Sequence, residues 1–167
     1  KEFFLNNLYL PTKEECQNDL AKWRSAGITV VAFGSDHYPI QLDSLDDPPA
    51  LLFCKGNLKL LSSPKSVTVV GTRENTKLGE KIACKTVEYF SHAGFCIVSG
   101  LALGIDTIAH RAALESGGTT IAVIVDLVNV SPSNNRDLAE QILKQDGLLI
   151  SENPPGTRAV PGLFAKR

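Results

Sequence analysis

The sequence lacks methionine entirely, and it lacks an excess of charge of either sign. Lysine and arginine number 17 against 18 acidic residues, so the formal net charge is −1. A strongly basic surface is therefore excluded, and any contact with nucleic acid would need a local pocket or stripe. Because even an initiator methionine is missing, we expect the chain to be a piece of a longer protein.

Long apolar runs are also lacking. No stretch approaches the roughly 20 apolar residues that span a bilayer, and no signal-peptide pattern opens the chain. The composition, with 43% hydrophobic and 21% charged residues, is typical of a soluble globular protein. We therefore expect a cytoplasmic protein with a proper hydrophobic core.

The residues of common catalytic and metal sites are sparse. None of the four cysteines forms a C-x-x-C pair, which argues against a zinc site, and Cys84 and Cys96 fall in apolar patterns typical of reduced core residues. The sequence shows no Ser-His-Asp order with an elbow motif, no metal-ligand cluster and no paired carboxylates at helical spacing. These gaps favour a binding protein that needs no cofactor over an enzyme.

The hydrophobic pattern alternates between the periods of strands and helices. Predicted strands cover residues 28–33, 66–70, 95–98, 119–125 and 148–151. Predicted helices cover residues 12–26, 77–93, 105–116 and 134–146. This order predicts an α/β protein with a Rossmann-like, mainly parallel sheet, helices on both faces and a short helical segment in front.

Small and polar residues stand where two predicted strands end, at Gly71-Thr72-Arg73 and at the start of "SGLALG". The carboxyl ends of parallel strands meet at one edge of the sheet, where such folds bind ligands. Gly100, Ala102 and Gly104 would leave room for an anion at the start of the next helix, and Ser99 could donate its hydroxyl to it. The alternative is a tight turn with close packing of the strand and the helix. Neither G-x-G-x-x-G nor a Walker motif is present.

Arg73 is the cation of this edge. A guanidinium beside a glycine at a strand end can hold a phosphate with two hydrogen bonds. The alternative is a surface ion pair with Glu74 or Glu80. At the start of the predicted helix 105–116, we interpret Asp106 as a cap for free N–H groups. His110 lies one turn later, and we interpret it as a packed or hydrogen-bonded core residue rather than as a residue that binds a ligand.

Phe164, Lys166 and Arg167 close the sequence as a small basic-aromatic cluster. Such a cluster suits single-stranded nucleic acid, because the charges follow the backbone while a ring stacks on a base. The alternative is the start of a helix with solvated charges.

Six segments resemble, in order, the DprA family, also called Smf, of bacterial DNA-processing proteins. They begin at Tyr38 and end at Arg167, and they include "VVGTRENTKLGEKIA", "IVSGLALGIDTIAHRAAL" and "SNNRDLAEQI". The resemblance implies an extended Rossmann fold that acts in natural transformation (competence) and DNA recombination. In this family the protein binds and protects single-stranded DNA and loads the RecA recombinase onto it.

The resemblance also implies site residues and a domain division. It assigns DNA contacts to Gly71, Thr72, Arg73, Ser99, Gly100, Ala102, Gly104, Ile105, Asp106, Phe164, Lys166 and Arg167. Residues 1–27 would be the tail of an N-terminal helical domain, and residues 28–167 an incomplete Rossmann-like domain. Homodimer and RecA contacts would lie in a part beyond Arg167. The chain departs from the family at "IVDLVNVSP", where Ser131 replaces a tyrosine.

Two other function classes remain open. One is a nucleotide-binding or nucleoside-monophosphate-hydrolysing enzyme similar to the LOG proteins, although their Pro-Gly-Gly-x-Gly-Thr motif is absent here. The other is a structural or docking domain. Affinity for an oligonucleotide, compared with that for free mononucleotides, separates these classes from a DNA-binding protein.

Overall fold

The computed structural model describes the backbone of residues 11–166 and the side chains of residues 11–164. Six strands form one sheet, and their bounds are β1 (Ile28–Ala32), β2 (Leu51–Gly56), β3 (Ser66–Thr68), β4 (Cys96–Ser99), β5 (Thr120–Val123) and β6 (Leu148–Ser151). The α-helices in chain order are α1 (Lys13–Ser25), α2 (Ile40–Asp43), α3 (Lys77–His92), α4 (Ile105–Glu115), α5 (Arg136–Lys144) and α6 (Pro161–Lys166). Two 3₁₀ helices cover Leu58–Ser62 and Ser133–Asn135.

The sheet is mixed, with the strand order β1-β2-β6-β5-β4-β3. Strands β3 to β6 pair in parallel, as expected from their alternation with helices. Strand β2 pairs antiparallel with both β1 and β6. The predicted α/β fold with a mainly parallel sheet is confirmed, and an antiparallel pair of strands extends it at one side.

Helices cover the two faces of the sheet unequally. On one face, Phe53 and Ile97 pack with residues of the long helices, such as Val87 of α3 and Ile142 of α5. On the other face, Leu52, Cys96, Ile121 and Leu148 pack against short elements, namely the segment around α2 and the first 3₁₀ helix. Helices α3, α4 and α5 follow β3, β4 and β5 in the chain. Their N-termini therefore lie near the carboxyl edge of the parallel strands.

Helix α1 precedes the sheet and contacts it. Thr12 caps the helix, and its side chain and that of Glu15 form the capping box that the sequence predicts. The ring of Trp23 packs edge-on against Phe53 with 5.1 Å between the ring centroids. The division of the chain after residue 27 stays a prediction.

His110, Cys84 and Cys96, which the sequence predicts as packed residues, are buried or half-buried, and so is Cys54. His110 is fully buried, and its Nδ1 lies 2.7 Å from the hydroxyl of Thr120 on β5. Cys54 and Cys96 are buried and Cys84 is half-buried, and all of them are free thiols. Burial raises the pKa of the Cys54 thiol to about 12, so this thiol is unreactive at neutral pH.

Burial also lowers the pKa of His110 to about 3, and a weaker interaction with the backbone of Ser99 acts in the opposite direction. An unfolded histidine titrates near pH 6.5. Between these two values the unfolded chain binds the extra proton, so the stability of the fold rises with pH. Above about pH 6.5 both states are neutral, and the contribution no longer changes.

We expect the free energy of unfolding to fall by about 1 kcal/mol from pH 7 to pH 5.5, because His110 must stay neutral in the fold. Urea denaturation at several pH values measures this slope. In His110→Gln the slope should largely vanish, whereas His92→Gln, which removes an exposed histidine, should keep it. An unchanged slope in His110→Gln would assign the pH dependence to other groups.

Candidate functional site

The loop after β3 and the start of α4 lie in direct contact. The amide N–H of Ile105 donates to the carbonyl oxygen of Thr72 at 3.1 Å. Gly104 has φ +82°, and a Cβ at this position would fall on the Thr72 carbonyl oxygen and 2.7 Å from the Cα of Arg73. A Cβ on Gly71 would lie 2.7 Å from the side chain of Ile105. For Gly104 the close packing that the tight-turn interpretation predicts is confirmed, and the contacts of Gly71 and Gly104 fix the backbone of Arg73.

Asp106 holds the loop between β4 and α4. Its carboxylate is buried and accepts hydrogen bonds from the amide N–H groups of Gly100, at 3.1 Å, and Ala102, at 3.4 Å. The expected cap on the helix is not what the structure shows, since no side chain caps the N-terminus of α4; Asp106 caps amide groups of the loop before the helix. These two N–H groups point at a carboxylate of the protein itself.

Ser99 is buried at the end of β4, and its hydroxyl donates to the carbonyl oxygen of Val69 at 2.6 Å. The hydroxyl proton therefore joins the ends of two neighbouring strands. The interpretation of Ser99 as a hydroxyl donor to a phosphate does not fit this arrangement. A hydroxyl carries a single proton, and the carbonyl of Val69 already takes it.

The N-terminus of α4 is similarly engaged. The amide N–H of Thr107 donates to the carbonyl oxygen of Ala102, and that of Ile108 donates to Gly104, both at 3.1 Å. Together with Ile105, three of the first four amide groups of the helix have partners in the protein. Direct binding of an anion by a free helix N-terminus is thus largely precluded, and its remaining contribution is the positive end of the helix dipole.

Beside these loops the structure contains an open cavity of about 370 Å³. It brings together three of the predicted site residues, Arg73, Ala102 and Phe164. The remaining walls are the side chains of Leu103, Ser131, Pro132 and Pro161. Arg73 and Phe164 are 91 positions apart in the sequence, and α6 brings Phe164 to the same cavity as Arg73. The cavity is mainly apolar, with a single charged group at its border.

The guanidinium of Arg73 is exposed and, within residues 11–164, forms no ion pair. The sole ion pair among these residues joins Lys144 and Glu140. The alternative interpretation, a pair with Glu74 or Glu80, is therefore not what the structure shows. Arg73 is thus an exposed cation in the lining of a mainly apolar cavity.

Comparison with known proteins shows to which family the chain belongs. The profile of the family described as DNA recombination-mediator protein A matches residues 29–167. The chain belongs to this family. Among its relatives are the DNA processing proteins DprA of Bacillus subtilis, 39% identical over 89% of this chain, and of Streptococcus pneumoniae, 46% identical over 79%. The chain spans about half the length of each of these relatives, 50% and 46% respectively.

Two solved structures of the family are similar to this fold. The X-ray structure of DprA from Streptococcus pneumoniae matches 90% of this chain and 52% of its own, with a TM-score of 0.77 and 40% identity. The second, from Helicobacter pylori, is described as showing a unique single-stranded DNA binding mode. It matches 83% of this chain and 61% of its own, with a TM-score of 0.72 and 31% identity.

In this member of the family, a buried amide supports one wall of the cavity. The side-chain NH₂ of Asn135 donates to the carbonyl oxygens of Leu101, at 2.9 Å, and Ala102, at 3.3 Å, and approaches the hydroxyl of Thr107 at 2.7 Å. Asn135 thus links the start of α5 to the loop before α4. Sequence reasoning missed this role, although Asn135 belongs to the quoted segment "SNNRDLAEQI".

A buried carboxylate supports the opposite side. Asp126 accepts hydrogen bonds from the backbone N–H groups of Val128, Asn129 and Gly156 and from the side chain of Asn129. Burial alone would raise the pKa of Asp126, but these hydrogen bonds outweigh it and hold the pKa below its ordinary value. The segment "IVDLVNVSP", where the sequence differs from the family pattern, carries Ser131 and Pro132. Asp126 thereby fastens it to the segment that leads into α6.

The last two predicted site residues cannot be placed in the cavity. Lys166 ends α6, but its side chain lies outside the described part of the chain, and Arg167 lies wholly outside it. Nothing in the sequence marked Leu103 and Pro161 as lining residues, because apolar side chains carry no chemical signal of their own. Their turn and helix positions bring them to the cavity.

We expect Gly104→Ala to lower the free energy of unfolding by about 2–4 kcal/mol, because the added Cβ meets the backbone of residues 72 and 73 at a positive φ. Urea denaturation measures the loss. The matched control is Gly94→Ala, which has φ +77° and open space around the added Cβ, so its cost should stay near 1 kcal/mol. Equal losses for both variants would mean that the two loops are not packed as described.

Proposed function

We propose that this chain binds single-stranded DNA at the cavity beside Arg73, as part of a recombination mediator. The observation that carries the proposal is that Arg73 and Phe164 line the same, mainly apolar cavity. A guanidinium holds a phosphate, and an aromatic ring stacks on an unpaired base. The Helicobacter pylori neighbour, named for its single-stranded DNA binding mode, supports the same substrate class.

The shape and charge of the site favour a single strand over a duplex. The cavity volume is at the lower end of the usual range for ligand sites, so it suits one base and its phosphate. In a duplex, bases are paired and stacked and cannot enter. The net charge of −1 provides little general attraction to duplex DNA. Contacts with a phosphate and with the face of any base also imply little sequence preference.

The finer parts of the proposal concern the whole protein. A mediator that holds and protects single-stranded DNA would present it to the RecA recombinase, and it would act without chemical change of the strand. The described residues 11–164 include no group of three or more His, Cys, Asp or Glu that could hold a metal ion. No helix between residues 11 and 166 could cross a membrane. RecA loading, dimer formation and a cytoplasmic location stay predictions.

The direct test is a titration of fluorescent poly-dT and of a blunt duplex over a series of salt concentrations. We expect clear preference for the single strand and a salt slope that corresponds to about two to four phosphates per monomer. Binding should need neither ATP nor magnesium. Equal affinity for the duplex, or tighter binding of free mononucleotides than of poly-dT, would instead favour the nucleotide-enzyme class.

Arg73→Ala should weaken poly-dT binding by about 1–3 kcal/mol, because a charge-assisted contact with a phosphate is lost. Fluorescence anisotropy measures this change. Arg24→Ala removes the same charge from an exposed position on α1 and serves as the control for net charge. If both variants bind poly-dT like the unchanged protein, Arg73 does not belong to the DNA site.

A further inference from the structure

A second cavity, more open to solvent than the first, adjoins it at Leu103 and is bordered by α4. Its volume is about 420 Å³, and Arg111, Asn75, Asn134 and Thr107 line it together with Glu80. Leu103 lines both cavities, and its side chain is 43% exposed. The two cavities thus meet at the side chain of Leu103. No residue that the family resemblance assigns to DNA contact, apart from Gly104, lines the second one.

Arg111 is the cation of the second cavity. It is exposed on α4, and within residues 11–164 its guanidinium has neither a hydrogen bond nor an ion pair. Two carboxylates are in its vicinity, since Glu80 lines the same cavity and Glu115 follows one turn later on α4. Neither lies within ion-pair distance of Arg111. The donors of the guanidinium are therefore available to an outside ligand.

The backbone around the cavity adds positive potential. Asn75 stands just before Thr76, the cap of α3, and Asn134 stands just before the first turn of α5. Gly104 is the cap residue of α4, so the N-termini of three long helices surround the same space. The positive ends of their dipoles favour an anion there. The amide groups of Asn75 and Asn134 can donate hydrogen bonds to it.

We propose that Arg111 and the second cavity hold the phosphate of a neighbouring nucleotide of the same single strand. This inference rests on the proposed function, because the first nucleotide must lie at Arg73. The strand would pass over Leu103, whose exposed side chain contacts a base between the two cavities. Each cavity then supplies one guanidinium for one phosphate. The side-chain NH₂ of Asn75 donates one hydrogen bond to the Thr76 carbonyl oxygen at 3.5 Å, and its second proton would reach the phosphate or its sugar.

Glu80 distinguishes a phosphate from a base edge in the second cavity. Its carboxylate lies in the second cavity and repels a phosphate there. If the cavity instead held the edge of a base, the same carboxylate would accept hydrogen bonds from an amino group of that base. Neutralising Glu80 therefore has opposite effects under the two arrangements.

The experiment measures anisotropy of labelled poly-dT with the unchanged protein, Arg111→Gln, Glu80→Gln and the charge control Arg24→Gln. We expect Arg111→Gln to lower the affinity for (dT)20 about five- to tenfold and to reduce the salt slope by about one. Glu80→Gln should raise the affinity about two- to fivefold. For a mononucleotide, which fills the first cavity alone, Arg111→Gln should have no effect.

The outcomes separate this inference from the proposed function. If Arg73→Ala weakens binding but Arg111→Gln matches Arg24→Gln, the second subsite is wrong and the DNA site stands. Lower affinity in Glu80→Gln would overturn the placement of a phosphate. Absence of any poly-dT binding by the unchanged protein would overturn both proposals. A thermal melt of each variant shows that the fold is kept, as expected for exposed side chains.

Discussion

The contact between the loop after β3 and the first turn of α4 is the constraint on which the site depends. Gly104 leaves no room for a side chain beneath the backbone of Thr72 and Arg73, and the amide of Ile105 bonds to the Thr72 carbonyl. Because these backbones touch, the guanidinium of Arg73 and the segment from Ala102 to Leu103 share one cavity. Asp106 and Asn135 then hold that segment in place, since Asp106 accepts a hydrogen bond from the Ala102 amide and Asn135 donates one to the Ala102 carbonyl oxygen.

The same contacts determine which groups at this edge of the sheet are available to bind a ligand. Phosphate sites at helix N-termini usually offer free amide groups to the anion. Here Gly100 and Ala102 donate to Asp106, and Ile105 and Thr107 donate to backbone carbonyls. The proposed DNA site would therefore depend on side chains, with arginines for phosphates and Phe164 and Leu103 for bases. Side chains on an open edge adapt to a flexible polymer, whereas a ring of fixed amides would enclose a single phosphate.

Much of the fold follows from the sequence, because local periodicity and glycine stops determine helices and buried strands. The bounds of β6 agree with the prediction, and α3 differs by one residue at its end. The antiparallel position of β2 could not be predicted, since Phe53 pairs with Ser151 almost a hundred residues away. At the site, the type of a residue does not determine which hydrogen-bond partner it has. Ser99 can donate to a phosphate or to Val69 with equal chemistry, and only the fold decides between them.

The central claim is that single-stranded DNA lies at the edge cavity between Arg73 and Phe164. Amide chemical shifts of the ¹⁵N-labelled protein, followed while (dT)6 is added, test it most directly. The account predicts saturable shifts in residues 71–73, 101–104 and 161–164, with α1 unaffected. Shifts confined to α1 and the β1–β2 side of the sheet, with none around Arg73, would contradict it.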